Sequence, residues 1–357
     1  MKSVFLIKSP LQLLNAIEAK YCFELNTNDC VLIIMGDRKS QPQILALANK
    51  INEWGSVILL NEVSMFRGNP VISEGKVHCI KHDFKSKMLS KSIFNVSRLN
   101  RISKYLTNVE YIFIGYYKYV YMRHFMNVTA HKKVVLLDDG TATIKIAEDR
   151  KKGVQENNNI IKKMKISGKR LFQGIKDKEK DNLCFFTMYD IVPGRNDTFV
   201  KNDFKQLKSQ IDLLPVSSEI FFIGAPISET GIMSLDDCLA HLKRVKEYFI
   251  NSKLVYITHR RDSLEKLGMI ENQLNIKVVE FDYPVEYQLG LVGPRPKVVA
   301  SFISTALDSC RIIFGSKMKI LSFRLDFQAS PKREVVERLY ESYQPHINEN
   351  FRVISDY

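Results

Sequence analysis

Lys132 to Thr143 reads KKVVLLDDGTAT, in which four apolar residues, Val134 to Leu137, run straight into Asp138, Asp139 and Gly140. An apolar run of that length makes a short buried strand, and open α/β sheets place their chemistry where such strands end. A carboxylate in that place can take a proton from a hydroxyl group. Asp-Gly is also a common turn pair, and Thr141 or Thr143 a common helix cap, so this stretch alone leaves both readings open. With an ordinary pKa near 4 a carboxylate is a poor base at neutral pH. Burial and a neighbouring carboxylate raise it by roughly 1 to 3 units.

Other stretches offer complementary chemistry. Leu254 to Ile257 is followed by Thr258-His259-Arg260-Arg261-Asp262-Ser263. A histidine at a strand end, with arginines beside it and a helix starting behind, suits a phosphate; an ordinary surface histidine in a basic loop fits the same residues. Ser304 and Thr305, after a run near Val298, could donate to a phosphate or simply cap a helix. Glu286 follows Pro284 in the first turn of a short helix, where its carboxylate could accept both hydroxyls of a ribose or merely complement the helix dipole. Near the start, Ser9 and Pro10 read as the cap and first residue of a helix, whose free amides suit an anion or a sugar hydroxyl as well as an ordinary cap.

The elements that must position these residues alternate. Val4–Ile7, Val31–Met35, Val57–Leu60, Tyr111–Ile114 and Val134–Leu137 read as strands. Helices are expected at Leu11–Tyr21, Gln43–Trp54, Lys87–Leu106 and through Tyr121, Arg123 and Phe125, with an irregular excursion over 65–85. Such alternation indicates βαβ units and a parallel sheet. A second alternation starts near Cys184, with strands expected at Leu183–Met188, Ile220–Ile223, Leu254–Ile257, Val278–Phe281, Val298–Ala300 and Arg311–Phe314. Its clearest helix is Leu235–Phe249, which keeps the 3.6-residue apolar period. The organisation expected is residues 1–150, a Lys-rich linker or flap over 151–182, residues 183–330, and a C-terminal helical tail over 331–357.

Size and composition agree with two folded domains in 357 residues, 45% of them hydrophobic and 26% charged. The formal charge of +14 predicts a positive field that attracts an anionic partner. Zinc-finger spacings, RNP-like aromatics and a basic zipper are all missing, so nucleic acid is not the expected partner. Six cysteines without a CxxC pair suit reduced thiols, and seven scattered histidines suggest no metal site. No apolar run approaches the roughly 18 residues of a spanning helix, and the start MKSVFLIKSP has too short an apolar part for a signal peptide. A cytoplasmic protein is expected, with the basic 146–182 segment either a solvated linker or a peripheral contact with the inner membrane.

Taken in order, the acidic pair with glycine, the histidine after a second-domain strand, the Pro-x-Glu and the hydroxyl pair resemble the bacterial sialyltransferases. The likeness is to glycosyltransferase family 52, the lipooligosaccharide sialyltransferases, and to the bacterial polysialyltransferases. Ser9-Pro10-Leu11-Gln12-Leu13 and Gly224-x-Pro226 with Glu229 are also similar to that group. The resemblance implies an α/β fold of GT-B type, two Rossmann-like doubly wound domains facing across a cleft. It implies an inverting, metal-independent transfer of sialic acid from CMP-sialic acid, a donor substrate rather than a cofactor. The implied acceptor is a hydroxyl, as of a galactoside, on a bacterial surface glycan such as lipooligosaccharide or O-antigen. Capsular polysialyl transfer and transfer of another nonulosonic acid or nucleotide sugar are the alternatives, followed by non-catalytic polyanion binding. It leaves room for a homodimer, although no interface signature is legible.

In that scheme Asp138 is the base, Asp139 and Gly140 support it, and His259 contacts the CMP phosphate as acid or electrostatic partner. Ser304 and Thr305 bind phosphate and Glu286 holds the cytidine ribose. Arg260 stands where the family usually has proline, and could add charge against the phosphate.

Overall fold

The structure, a computed structural model, describes residues 1–37, 39–60, 69–73, 76–80, 91–152, 170, 173–211, 214–326 and 332–357. The chain divides into two compact units, Met1–Asn202 and Asp203–Tyr357.

The first unit begins with β1 (Lys2–Ile7), α1 (Pro10–Cys22), β2 (Cys30–Ile34), α2 (Gln41–Ile51) and β3 (Ser56–Leu59). The excursion expected over 65–85 contains a hairpin, β4 (Asn69–Ser73) and β5 (Lys76–Ile80), which extends the sheet antiparallel to β3. Then come α3 (Lys91–Tyr105), β6 (Val109–Ile114), α4 (Val120–Val128), β7 (His131–Leu137), α5 (Ala142–Lys151), β8 (Cys184–Thr187) and β9 (Thr198–Lys201). The nine strands lie in the order β5-β4-β3-β2-β1-β6-β7-β8-β9. Helices on both faces explain why the central strands are continuous apolar runs rather than alternating ones, with Val4 to Ile7 wholly buried. The order reverses direction between β1 and β6, and the crevice at such a switch is where open sheets bind ligands.

The second unit carries α6 (Lys205–Lys208), β10 (Val216–Ile223), α7 (Leu235–Tyr248), β11 (Leu254–Ile257), α8 (Leu264–Asn272), β12 (Lys277–Val279), α9 (Val285–Tyr287), β13 (Arg295–Ser301), α10 (Thr305–Phe314), β14 (Lys319–Phe323), α11 (Arg333–Tyr343) and β15 (Phe351–Ile354). Its six strands, ordered β12-β11-β10-β13-β14-β15, are all parallel. The switch here lies between β10 and β13. The molecule is thus α/β, with two Rossmann-like doubly wound units, the make-up of a GT-B fold.

Several boundaries differ from the sequence reading. Cys184 to Thr187 does not open the second unit; Cys184 pairs with Val135 and Phe186 with Leu137, so β8 and β9 complete the first sheet. Arg311 to Phe314, β-branched enough to read as a strand, is the last turn of α10. Ser304 caps that helix, and Leu307, Cys310, Ile313 and Phe314 keep the helical period on its buried side. The expected helical tail contains α11 but ends in β15, which pairs with β14. Of the Lys-rich segment, 153–169 and 171–172 lie outside the described residues. The part after it is docked on α4: Arg123 pairs with Asp177 at 2.6 Å, and the Asn127 amide donates to the Lys178 carbonyl at 2.8 Å.

Candidate functional site

In the first unit, β7 ends at Leu137 and delivers Asp138 and Asp139 to the carboxyl edge of the sheet. Gly140 then turns the chain with φ of +65°, a left-handed conformation that favours glycine. The Asp138 carboxyl is fully buried, and its Oδ2 accepts from the Met188 amide at 2.6 Å. Burial pushes this carboxyl up to about 7, held back by Thr187, the Met188 amide, Thr143 and Lys201. Its Oδ1 nonetheless makes no well-formed hydrogen bond, which favours the protonated form of the acid.

Asp139 is only half-buried. Its Oδ1 accepts from Gln12 Nε2 at 2.6 Å, and its amide donates to Thr143 Oγ1 at 3.2 Å. Of the two carboxyls, Asp139 is therefore the more exposed. Asp138, to which the resemblance gives the role of base, lies buried against the Met188 amide just after β8.

The turn is held from α1. Ser9 caps that helix as expected, with its Oγ accepting from the Gln12 amide at 3.3 Å, and Pro10 occupies the first helical position. Gln12 accepts the Lys8 amide on Oε1 at 2.7 Å while holding Asp139 on Nε2. Asn15 Nδ2 donates to the Asp138 carbonyl at 3.1 Å, and Asn202 in turn donates to Asn15 Oδ1 at 2.9 Å. Neither Gln12 nor Asn15 was given a role by the sequence reading. Their signal was two amides, three residues apart, among the apolar residues of α1.

In the second unit, β11 ends at Ile257, two residues before His259 and its basic loop. The His259 amide donates to Asp262 Oδ2 at 2.8 Å, and His259 Nδ1 accepts from the Arg261 amide at 3.1 Å. That bond assigns the ring proton to Nε2. Burial first, then Arg260, Arg261 and Lys266, push the imidazole down to about 4, so it is neutral at pH 7. A neutral Nε2–H is a hydrogen-bond donor to phosphate, not a ready acid.

The loop rests on a buried network that the sequence reading missed. Asp262 accepts from Tyr256 at 3.0 Å and from Lys266 at 2.8 Å, and Lys266 also reaches the Ala225 carbonyl at 2.8 Å and Glu229 at 3.5 Å. Gly224 allows the close approach, since a Cβ there would stand 2.7 Å from both Asp262 Oδ2 and Tyr256 Oη. The signal was an Asp and a Lys four residues apart across a helix start.

Ser304 and Thr305 stand, partly exposed, at the amino end of α10, beyond the carboxyl end of β13. Ser304 Oγ accepts from the Ala306 amide at 3.2 Å, so it serves the helix as its cap. Glu286 is brought to the same helix: Ser309 donates to its Oε1, and burial raises its carboxyl. One of its oxygens is thus already engaged, and the residue is only 4% exposed. β11 and β13 both flank β10, which puts the His259 loop and the Ser304 turn on one sheet edge about 10 Å apart by strand spacing. Among the described residues no group of three or more His, Cys, Asp or Glu side chains gathers as metal ligands would. No described helix is long and apolar enough to cross a membrane.

Among solved structures, the chain is similar to a Photobacterium 2,6-sialyltransferase at 10% identity and a TM-score of 0.49, covering 99% of this chain and 78% of that one. It is also similar to the spinosyn forosaminyltransferase SpnP, at 10% identity and a TM-score of 0.47 over 99% of this chain and 85% of that one. A Methanocaldococcus jannaschii UDP-GlcNAc 2-epimerase matches at 9% identity and a TM-score of 0.46 over 99% and 89%. A comparison with curated protein sequences finds no match. Residues 3–322 match the family model described as alpha-2,8-polysialyltransferase. The family 52 likeness read from the motifs thus resolves toward its polysialyltransferase relatives, and the chain belongs to the alpha-2,8-polysialyltransferase family.

Proposed function

We propose that this protein transfers sialic acid from CMP-sialic acid to a hydroxyl of a glycan that already ends in sialic acid, with inversion at the anomeric carbon. The observation that carries the reading is the half-buried Asp139, oriented by Gln12 at the carboxyl edge of a sheet, in a chain of the polysialyltransferase family. Asp139 takes the proton of the acceptor hydroxyl, whose oxygen bonds to the anomeric carbon as the bond from that carbon to the CMP oxygen breaks. The electron pair leaves on the phosphate. Asp138, with its raised pKa, stays largely neutral up to about pH 7 and so spares the turn a second negative charge.

In this reading the second unit holds the nucleotide. His259 Nε2–H, Arg260 and the amino end of α10 with Ser304 and Thr305 meet the phosphate, stabilising its growing charge with preorganised donors. Glu286 serves the ribose with its remaining oxygen or by holding α9 against α10. The Arg260 charge and these neutral donors stabilise the leaving CMP in this reading without a divalent cation. Single addition to a neutral galactoside, the acceptor implied by family 52, is less favoured because the matched family is named for α2,8 transfer to sialic acid.

A thermal-shift series with CMP, CDP, UDP and GDP tests the donor assignment. CMP is expected to give the largest rise in Tm, unchanged by a chelator, since a ligand that binds only the folded state stabilises it by mass action. A larger rise with UDP or GDP, or loss of the CMP effect on chelation, overturns it.

A further inference from the structure

The switch point of the first sheet, between the carboxyl ends of β1 and β6, holds side chains that the transfer chemistry does not use. Lys8 follows β1, and its ammonium stands 4.1 Å from the ring centroid of Tyr119, which arrives from the loop after β6. Tyr121 meets Tyr119 edge to face at 5.4 Å. A small pocket opens beside them, lined by Met35, Leu60, Asn95, Leu99, Tyr119 and Tyr121. Among the described residues no carboxylate pairs with Lys8, whose ammonium sits over the Tyr119 ring. A half-buried cation without a carboxylate, beside two half-buried aromatic rings, is matched by a ligand with an apolar ring face and an anionic group.

The place is physically tied to Asp139. Gln12 accepts the Lys8 amide and donates to Asp139 Oδ1, at 2.7 and 2.6 Å. Gly115, at the end of β6, gives Gln12 the space to do both, since a Cβ there would fall 2.2 Å from Gln12 Oε1. From β1 across β6 to β7 is two strand spacings, about 10 Å along the sheet edge, within the reach of linked sugar rings.

We infer that Lys8, Tyr119 and Tyr121 form an acceptor subsite for the acidic sugar that precedes the one being extended. Lys8, steadied over Tyr119, pairs with that sugar's carboxylate, and Tyr121 offers its ring to the sugar's apolar face. The inference rests on the proposed transfer for its biological meaning, but the subsite binds its ligand without any donor. It makes Lys8 a specificity residue, selecting acceptors with a carboxylate one ring back from the reacting hydroxyl.

The test is direct binding of an α2,8-linked sialic acid trimer, without CMP-sialic acid, to the full chain and to its Lys8→Gln and Tyr121→Leu variants. Lys8→Gln keeps the backbone amide that Gln12 needs, and an unchanged circular dichroism spectrum and Tm confirm its fold. The trimer is expected to bind the unaltered chain, Lys8→Gln to weaken it by about tenfold or more, as loss of a charged hydrogen-bonding partner does, and Tyr121→Leu to weaken it through loss of the ring face. A neutral trisaccharide should bind weakly, and equally to the unaltered chain and the Lys8→Gln variant. Equal trimer affinity in the Lys8→Gln variant, or loss of the neutral ligand together with the acidic one in that variant, overturns the subsite. If the trimer binds through Lys8 yet no sialic acid is ever transferred to it, the subsite stands and the proposed reaction fails.

Discussion

Asp139→Asn is expected to lower the rate of sialic acid transfer by about 100- to 10,000-fold while CMP binding is retained. Asparagine keeps an oxygen for the Gln12 amide, so the turn stays in place. What is lost is the capacity to accept a proton. Asp138→Asn, in contrast, should keep kcat within about tenfold of the unaltered protein, because that carboxyl is fully buried and touches no substrate in this account. Single-turnover rates for the two variants separate the carboxylates. Equal loss in both, or a larger loss at Asp138, would mean that the buried acid opens to the acceptor and the assignment is reversed.

Asp138 has its own large effect, on stability. In the fold its carboxyl is raised to about 7 by burial, whereas in an unfolded chain it titrates near its ordinary value. The native state therefore holds this proton more tightly. Its contribution is fully present below about pH 4 and is lost as pH rises through about 7, since the charged form must then be buried. An asparagine in its place would carry no such charge and would keep an oxygen for the Met188 amide. The Asp138→Asn variant should thus gain stability relative to the unaltered chain from pH 5 to pH 8, by about 2 to 4 kcal/mol at the upper end. Denaturant unfolding at several pH values reads this directly. A difference between the two proteins that does not change with pH would show that Asp138 does not titrate in that window.

Much of the fold was legible because its period is simple. Val4 to Ile7, Leu254 to Ile257 and Val134 to Leu137 are buried on both faces and flanked by helices, so each reads as an apolar block with a turn behind it. Failures came where local sequence fits two outcomes. Arg311-Ile312-Ile313-Phe314 has strand propensity but is committed by the Ser304 cap and the apolar period upstream to finishing a helix. Cys184 to Thr187 looks like any short strand, and nothing local says which sheet it joins. Only its pairing with β7 places it in the first unit.

The site was legible as motifs but not as partners. Asp138-Asp139-Gly140 marks a strand end, yet which carboxyl faces outward depends on β8, nearly fifty residues further on, whose Met188 amide claims Asp138. Gln12 lies 127 residues before the carboxylate it orients, and no spacing rule could join them. The His259 loop shows the same dependence. Its neutral imidazole follows from a network, Tyr256, Asp262, Lys266 and Glu229, that forms only when β10 and α8 pack together.

The most direct measurement is mass spectrometry of the products formed from CMP-sialic acid with a sialyl-ended acceptor and with a neutral galactoside of similar length. The account predicts that the sialyl-ended acceptor gains the mass of one or more sialic acid residues. An unchanged acceptor with CMP-sialic acid lost only to hydrolysis, or transfer to the neutral galactoside alone, would contradict it.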